Sequence, residues 1–152
     1  MDCVNGSLNQ DDIKEFKSLD SEVQELINAA IKARTFSYSP YSNFAVGAAI
    51  RTENGQIYTG CNVENAAFSS SICAERTAAC KAISEGHKVF TALAVVGQQE
   101  KSFTTPCGVC RQFLFEFVDN DFPVYVAKPS PYRVLCTTIS SLLPRGFKTY
   151  IN

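Results

Sequence analysis

Three thiols drawn from two separated segments place the strongest constraint on what this chain can fold into. Cys73 lies in Cys73-Ala74-Glu75, and Cys107 and Cys110 lie well downstream in Pro106-Cys107-Gly108-Val109-Cys110. Side chains one helical turn apart share a helix face, so Cys107-x-x-Cys110 presents two soft ligands together, and Gly108 lets the backbone come close. Both segments read as helix starts, where the positive end of the macrodipole lowers thiol pKa and favours thiolates. Three thiolates with one open position describe a catalytic zinc site, one Zn²⁺ per chain, because a structural zinc would take a fourth protein ligand. The same residues admit two plainer readings. Free cysteines are commonly buried as small hydrophobes, and Cys107-x-x-Cys110 alone also fits a redox pair, against which Cys73-x-Glu75 counts.

Glu75 stands two residues from a proposed ligand. It points elsewhere from Cys73 yet remains in reach of the open position, which makes it a candidate proton shuttle, set against a solvent-facing carboxylate stabilised by the macrodipole. Arg76 is either a surface cation or a donor to the thiolates, since three thiolates on Zn²⁺ leave a net charge of −1 for a guanidinium to offset. Cys3, Cys61, Cys80 and Cys136 have no such company and read as structural. The single histidine, His87, follows Glu85-Gly86 at a helix end, where a cation is useful; no nucleophile motif accompanies it, so a Ser-His-Asp or Cys-His triad finds no support.

The wider composition limits the setting. A chain of 152 residues with 45% hydrophobic residues fits a single compact domain. Lysine and arginine number 14 against 15 aspartates and glutamates, a formal charge of −1 that disfavours long nucleic acid as partner. The run Met1-Asp2-Cys3-Val4-Asn5-Gly6 carries no export signal and no apolar stretch reaches the ~18–20 residues of a membrane span, so we expect a cytoplasmic protein with no membrane partner and reduced thiols.

Hydrophobic spacing predicts the elements. Residues 1–18 are polar and aperiodic and read as a loose arm, leaving 19–152 as the one domain. From Asp20 as N-cap, Val23, Leu26, Ile27, Ala30 and Ile31 predict a helix ending near Arg34. Phe44–Ile50 and Gln56–Gly60 flank Asn54-Gly55, which predicts a hairpin with a type I′ turn. A helix from Cys73 to Gly86, a buried strand from Phe90 to Val96 and a helix from Cys107 to Asp119 follow. Two strands, Pro123–Ala127 and Arg133–Cys136, are joined too tightly to be parallel, and a short helix ends the chain near Ile139–Leu143. The sum is an α/β fold, three layers α/β/α, with a mixed five-stranded sheet and helices on both faces.

The segments Cys73-Ala74-Glu75-Arg76-Thr77-Ala78 and Pro106-Cys107-Gly108-Val109-Cys110-Arg111-Gln112 resemble the two zinc motifs of the cytidine deaminase family. The likeness continues through Pro40-Tyr41-Ser42-Asn43-Phe44-Ala45-Val46-Gly47-Ala48-Ala49, Gly60-Cys61-Asn62-Val63-Glu64-Asn65-Ala66 and Ser140-Ser141-Leu142-Leu143-Pro144, covering about residues 20–147. The resemblance implies a zinc-dependent hydrolase of pyrimidine salvage that converts cytidine and deoxycytidine to uridine and deoxyuridine plus ammonia. By it, Cys73, Cys107 and Cys110 hold the zinc, Glu75 moves the protons, Asn62 and Glu64 bind the ribose with Glu64 on the 3′-hydroxyl, and Phe44 packs on the base. Ala74 offers its backbone N–H to the pyrimidine carbonyl, and the Thr105 carbonyl receives the amino group. It further implies a homotetramer in which Phe68 and Phe147 help close a neighbouring pocket. Two other functions share these residues: a cytosine deaminase acting on single-stranded nucleic acid, against which the charge of −1 and the free-ribose reading of Asn62 and Glu64 stand, and a non-catalytic zinc-stabilised interaction module, which would have no use for Glu75.

Overall fold

The computed structural model describes residues 12–149. Strand β1 (Ile13–Glu15) and a 3-10 turn over Phe16–Ser18 lead into helix α1 (Ser21–Arg34). Strands β2 (Val46–Thr52) and β3 (Ile57–Cys61) form a hairpin, followed by α2 (Ala74–Ser84), β4 (Phe90–Gly97) and α3 (Gly108–Phe115). The chain finishes with β5 (Pro123–Ala127), β6 (Arg133–Thr138) and the single turn α4 (Ile139–Leu142).

One sheet runs in the order β1-β6-β5-β4-β2-β3. Only β4 and β5 pair in parallel, because α3 carries the chain back across the sheet between them; the other pairs are antiparallel. Alternation along each strand sorts the side chains into two cores. Ala48, Ile50, Leu93, Val95, Val124, Val126 and Leu135 pack with Ala74, Ala78, Ala82, Leu114 and Ile139 of α2, α3 and α4. Ala49, Ala94, Val96, Ala127 and Val134 meet Leu26, Ile27 and Ala30 of α1 on the opposite face. The three-layer mixed arrangement expected from the sequence is thus present.

Close helix–sheet approach decides where the site forms. A Cβ on Gly60 of β3 would stand 2.4 Å from the Ala74 carbonyl oxygen and 2.5 Å from the Ala78 nitrogen, so the first turn of α2 rests directly on strand backbone. Gly47 of β2 lies as tightly beneath α1, 2.1 Å from the Ala30 carbonyl oxygen by the same measure.

Three details depart from the expectations. The sheet has six strands rather than five, because Ile13–Glu15, inside the stretch read as a loose arm, pairs with β6 from Ile13 opposite Leu135 to Glu15 opposite Arg133. Backbone hydrogen bonding to an existing edge needs no hydrophobic periodicity, and Ile13 alone supplies an apolar anchor. The hairpin turn has a positive φ at Gly55 (85°) but not at Asn54, with the Gly55 N–H bonded to the Thr52 carbonyl and the Thr52 N–H to the Gln56 carbonyl. This is a turn with a glycine bulge rather than type I′. Helix α3 ends at Phe115 instead of continuing to Asp119, because Phe117 and Val118 turn back into the core, where Phe117 sits 5.7 Å from the rings of both Phe90 and Phe113. Cys3 lies outside the described residues.

Candidate active site

Cys73 and Cys107 are the N-cap residues of α2 and α3, both in extended backbone, and neither side chain caps the backbone N–H groups of its helix. Their sulfurs are therefore free to face each other, and the Sγ atoms stand 3.8 Å apart. Cys110, one turn into α3 and fully buried, completes a group whose three sulfurs all lie within 4.8 Å of one another. Two sulfurs each about 2.3 Å from a tetrahedral zinc are separated by about 3.8 Å, so the donor set and its spacing fit zinc.

The surrounding groups already prepare these thiols. The Cys110 thiol beside it, opposed by burial, together with the Arg76 guanidinium and Cys107, draws Cys73 down to about 5. Cys110 is pushed upward, first by that same bond to Cys73 and then by burial and the nearby Glu75. Arg76 Nη2 reaches Cys73 Sγ at 3.8 Å, and its buried Nε has no protein partner. A guanidinium aimed at a thiolate group with a donor to spare suits a centre of net negative charge.

Glu75 is the buried acid of the site, 4% exposed in the first turn of α2. Burial pushes its carboxyl up to about 7, held back by its own backbone N–H and raised further by the Cys73 charge. A carboxyl that ionises near neutrality both accepts and returns a proton at little cost. The plain alternative of a solvent-facing carboxylate does not hold for this residue.

These groups form the floor of a cleft of 330 Å³, at the small end of the range for small-molecule sites. Cys73, Ala74, Glu75, Thr104, Thr105 and Cys107 line the floor, and Ser42, Phe44, Asn62 and Glu64 stand on the wall. Asn62 Oδ1 accepts from Ser37 Oγ (2.6 Å) and the Val46 N–H (2.8 Å), while Nδ2 donates to the Phe44 carbonyl (2.9 Å). Glu64 Oε2 accepts from the N–H groups of Tyr41 (2.9 Å) and Ser42 (3.2 Å), and Oε1 accepts from the Ser42 hydroxyl. That hydroxyl, with the two N–H groups, holds the Glu64 carboxyl below its ordinary range. A larger cleft of 440 Å³ beside Lys101, Lys128 and Arg133 has no thiol or carboxylate in its lining.

Phe68 and Phe147 are not brought to this cleft within one chain. Phe68 is 74% exposed with its ring edge-on to Tyr41, and Phe147 is 75% exposed, its carbonyl accepting from Gln112 Nε2. Three contributors, Ser37, Ser42 and Arg111, were not singled out from the sequence. Ser42 gave no signal because serine in a turn-rich run is unremarked. Arg111 donates to the carbonyls of Pro106 (2.6 Å) and Leu142 (2.7 Å) and to Thr105 Oγ1 (3.0 Å), bracing the segment that carries Thr105 and Cys107; its place directly after Cys110 was the available clue.

Residues 20–126 match the family described as the cytidine and deoxycytidylate deaminase zinc-binding region, a span that includes all three thiols and Glu75. The chain belongs to this deaminase family. Its relatives include the cytidine deaminase of Sporosarcina psychrophila, 48% identical over 126 residues that cover 83% of this chain and 91% of the relative. A probable cytidine deaminase of Dictyostelium discoideum is 47% identical over 83% of this chain and 84% of its own. Among solved structures, the cytidine deaminase of Burkholderia pseudomallei superposes with a TM-score of 0.76 at 42% identity, covering 81% of this chain and 97% of that one. The zinc expected from the thiol spacing therefore agrees with both the family and the sulfur separations.

Proposed function

We propose that this deaminase hydrolyses the 4-amino group of cytidine and deoxycytidine, releasing ammonia and leaving uridine and deoxyuridine, as a step of pyrimidine salvage. The observation that carries the reading is Glu75, buried at the floor of a nucleoside-sized cleft beside the three-thiol group. Cys73, Cys107 and Cys110 would hold one Zn²⁺ per chain, with Arg76 offsetting its thiolates. When bound there, zinc supplies a water acidic enough to act as nucleophile at neutral pH.

Glu75 takes a proton from the attacking water and passes it to N3 of the ring as the C4–O bond forms. It then takes the proton of the new C4 hydroxyl and delivers it to the departing amine as the C4–N bond breaks and the C4 carbonyl forms, and a carboxyl with a pKa of about 7 suits both transfers. The backbone N–H of Ala74, at the open first turn of α2, holds the ring carbonyl, and the Thr105 carbonyl accepts from the amino group. Phe44 packs on the base, while Asn62 and Glu64 take the sugar, Glu64 through the 3′-hydroxyl.

The exposed rings of Phe68 and Phe147 support a homotetramer in which a neighbouring copy completes each pocket. Among the described residues no helix is long and apolar enough to cross a membrane, and the free thiols of Cys61, Cys80 and Cys136 outside the site suit a reducing cytoplasm, where we place the protein. In this reading residues 19–152 carry the deaminase site, and β1 extends their sheet from the preceding segment.

Ultraviolet absorbance of the zinc-loaded protein with cytidine tests the proposal, alongside Glu75→Ala and a metal assay on both. Wild type converts cytidine, and the variant keeps one zinc per chain while losing ~10²–10⁴-fold in turnover. Near-normal turnover by Glu75→Ala would overturn the assignment, and rapid deamination of a single-stranded oligonucleotide in preference to cytidine would move it to nucleic acid.

A further inference from the structure

The polar wall of the cleft can be counted bond by bond. A carboxylate offers about four acceptor positions and an amide oxygen two. Glu64 fills three of its four, two with the Tyr41 and Ser42 N–H groups and one with the Ser42 hydroxyl. Asn62 fills both positions on Oδ1 with Ser37 and Val46, and one of its two N–H donors with the Phe44 carbonyl. One acceptor and one donor remain, and together they complement a single hydroxyl, which accepts one bond and donates one.

Ser42 links this count to the base side of the cleft. Its hydroxyl gives its only proton to Glu64 Oε1 and accepts the Phe44 N–H at 3.1 Å. Asn43, between them, adopts φ 55°, a left-handed conformation that asparagine tolerates, so the turn returns Phe44 toward the hydroxyl two residues earlier. Glu64 and Phe44 are thus fixed relative to each other through one side chain.

Resting on the nucleoside reading above, we propose that Ser42 is the positioning residue that makes the site read one sugar hydroxyl: it spends the third acceptor position of Glu64, aims the fourth, and locks Phe44 in step with it. The remaining capacity is then used by the 3′-hydroxyl, and the 2′-hydroxyl goes unread.

The experiment compares kcat and KM of zinc-loaded wild type, Ser42→Ala and Ser42→Thr on cytidine, 2′-deoxycytidine and 3′-deoxycytidine. Wild type handles the first two about equally and the third poorly. Ser42→Ala raises KM about tenfold for the first two with little change in kcat, raises it distinctly less for the 3′-deoxy substrate, which feels only the loosened Phe44, and is rescued by Ser42→Thr. Should Ser42→Ala not fold, Ser42→Cys keeps the size, weakens the bond and gives the same readout. An equal loss on all three substrates, or none on any, overturns the inference while leaving the deaminase reading standing. Failure of wild type to turn over any of the three overturns that reading and this one with it.

Discussion

At the scale of single residues, two carboxyls in one cleft are driven in opposite directions, and their surroundings explain it. Glu75 is stripped of water and pushed up to about 7, whereas Glu64 is surrounded by donors and held below its ordinary range. Because the folded value of Glu64 is depressed, what its ionised form contributes is fully present above the ordinary glutamate value and is lost only as pH falls through the lowered one. The ratio of KM for cytidine between Glu64→Gln and wild type should therefore stay constant down through the ordinary glutamate range and approach one only in stronger acid. A ratio that already falls in the ordinary range would show that the Ser42 and backbone bonds do not hold the carboxylate. Cys73, Glu75, Cys107 and Cys110 were legible in the sequence because metal chemistry forces their residue types and spacing. Phe44, Asn62 and Glu64 were reached through resemblance, since an asparagine and a glutamate in a loop carry no chemistry by spacing alone. Ser37, Ser42 and Arg111 went unnoticed because their roles depend on bonds to segments remote in the chain, such as Ser37 on Asn62 across 25 residues.

At the scale of elements, the site is set by how near two helices come to the sheet and to each other. Gly60→Ala places a methyl into the first turn of α2, the turn that carries Cys73 and Glu75. We expect it to cost about 1–3 kcal/mol in stability, read as a lower Tm, and to lower kcat more than a surface glycine change such as Gly55→Ala does. An unchanged Tm would mean that α2 lifts off β3 freely. Helices α1 and α2 and strands β2 to β6 were predictable because each buries a periodic face, and the antiparallel β5–β6 pairing followed from a connection too short to cross over. The end of α3 was not, because Phe113, Phe115, Phe117 and Val118 satisfy a helical and a non-helical burial pattern alike. Strand β1 was not, because three residues with one apolar side chain hold their place by backbone bonds that leave no trace in composition.

At the scale of the whole molecule, Phe36, Phe68 and Phe147, each more than 70% exposed, are more aromatic surface than a lone small domain needs to show to water. A homotetramer would cover such rings, and light scattering coupled to size exclusion should return about four times the mass of the chain; Phe68→Ser should shift it toward smaller species and raise KM together. A monomer of full activity would show that each cleft is complete alone. The outermost strand carries a different kind of consequence. Residues Ile13–Glu15 lie along the outer side of β6, whose Val134 and Leu135 are buried. With Lys14 and Glu15 beside one apolar residue, that strip ends the sheet in charge and is too short to template another strand. Without it, an apolar ribbon with unpaired backbone groups would face solvent, ready to join the same ribbon of another molecule. A strand of three residues with a single apolar side chain thus keeps the backbone edge of β6 from meeting the same edge of another molecule.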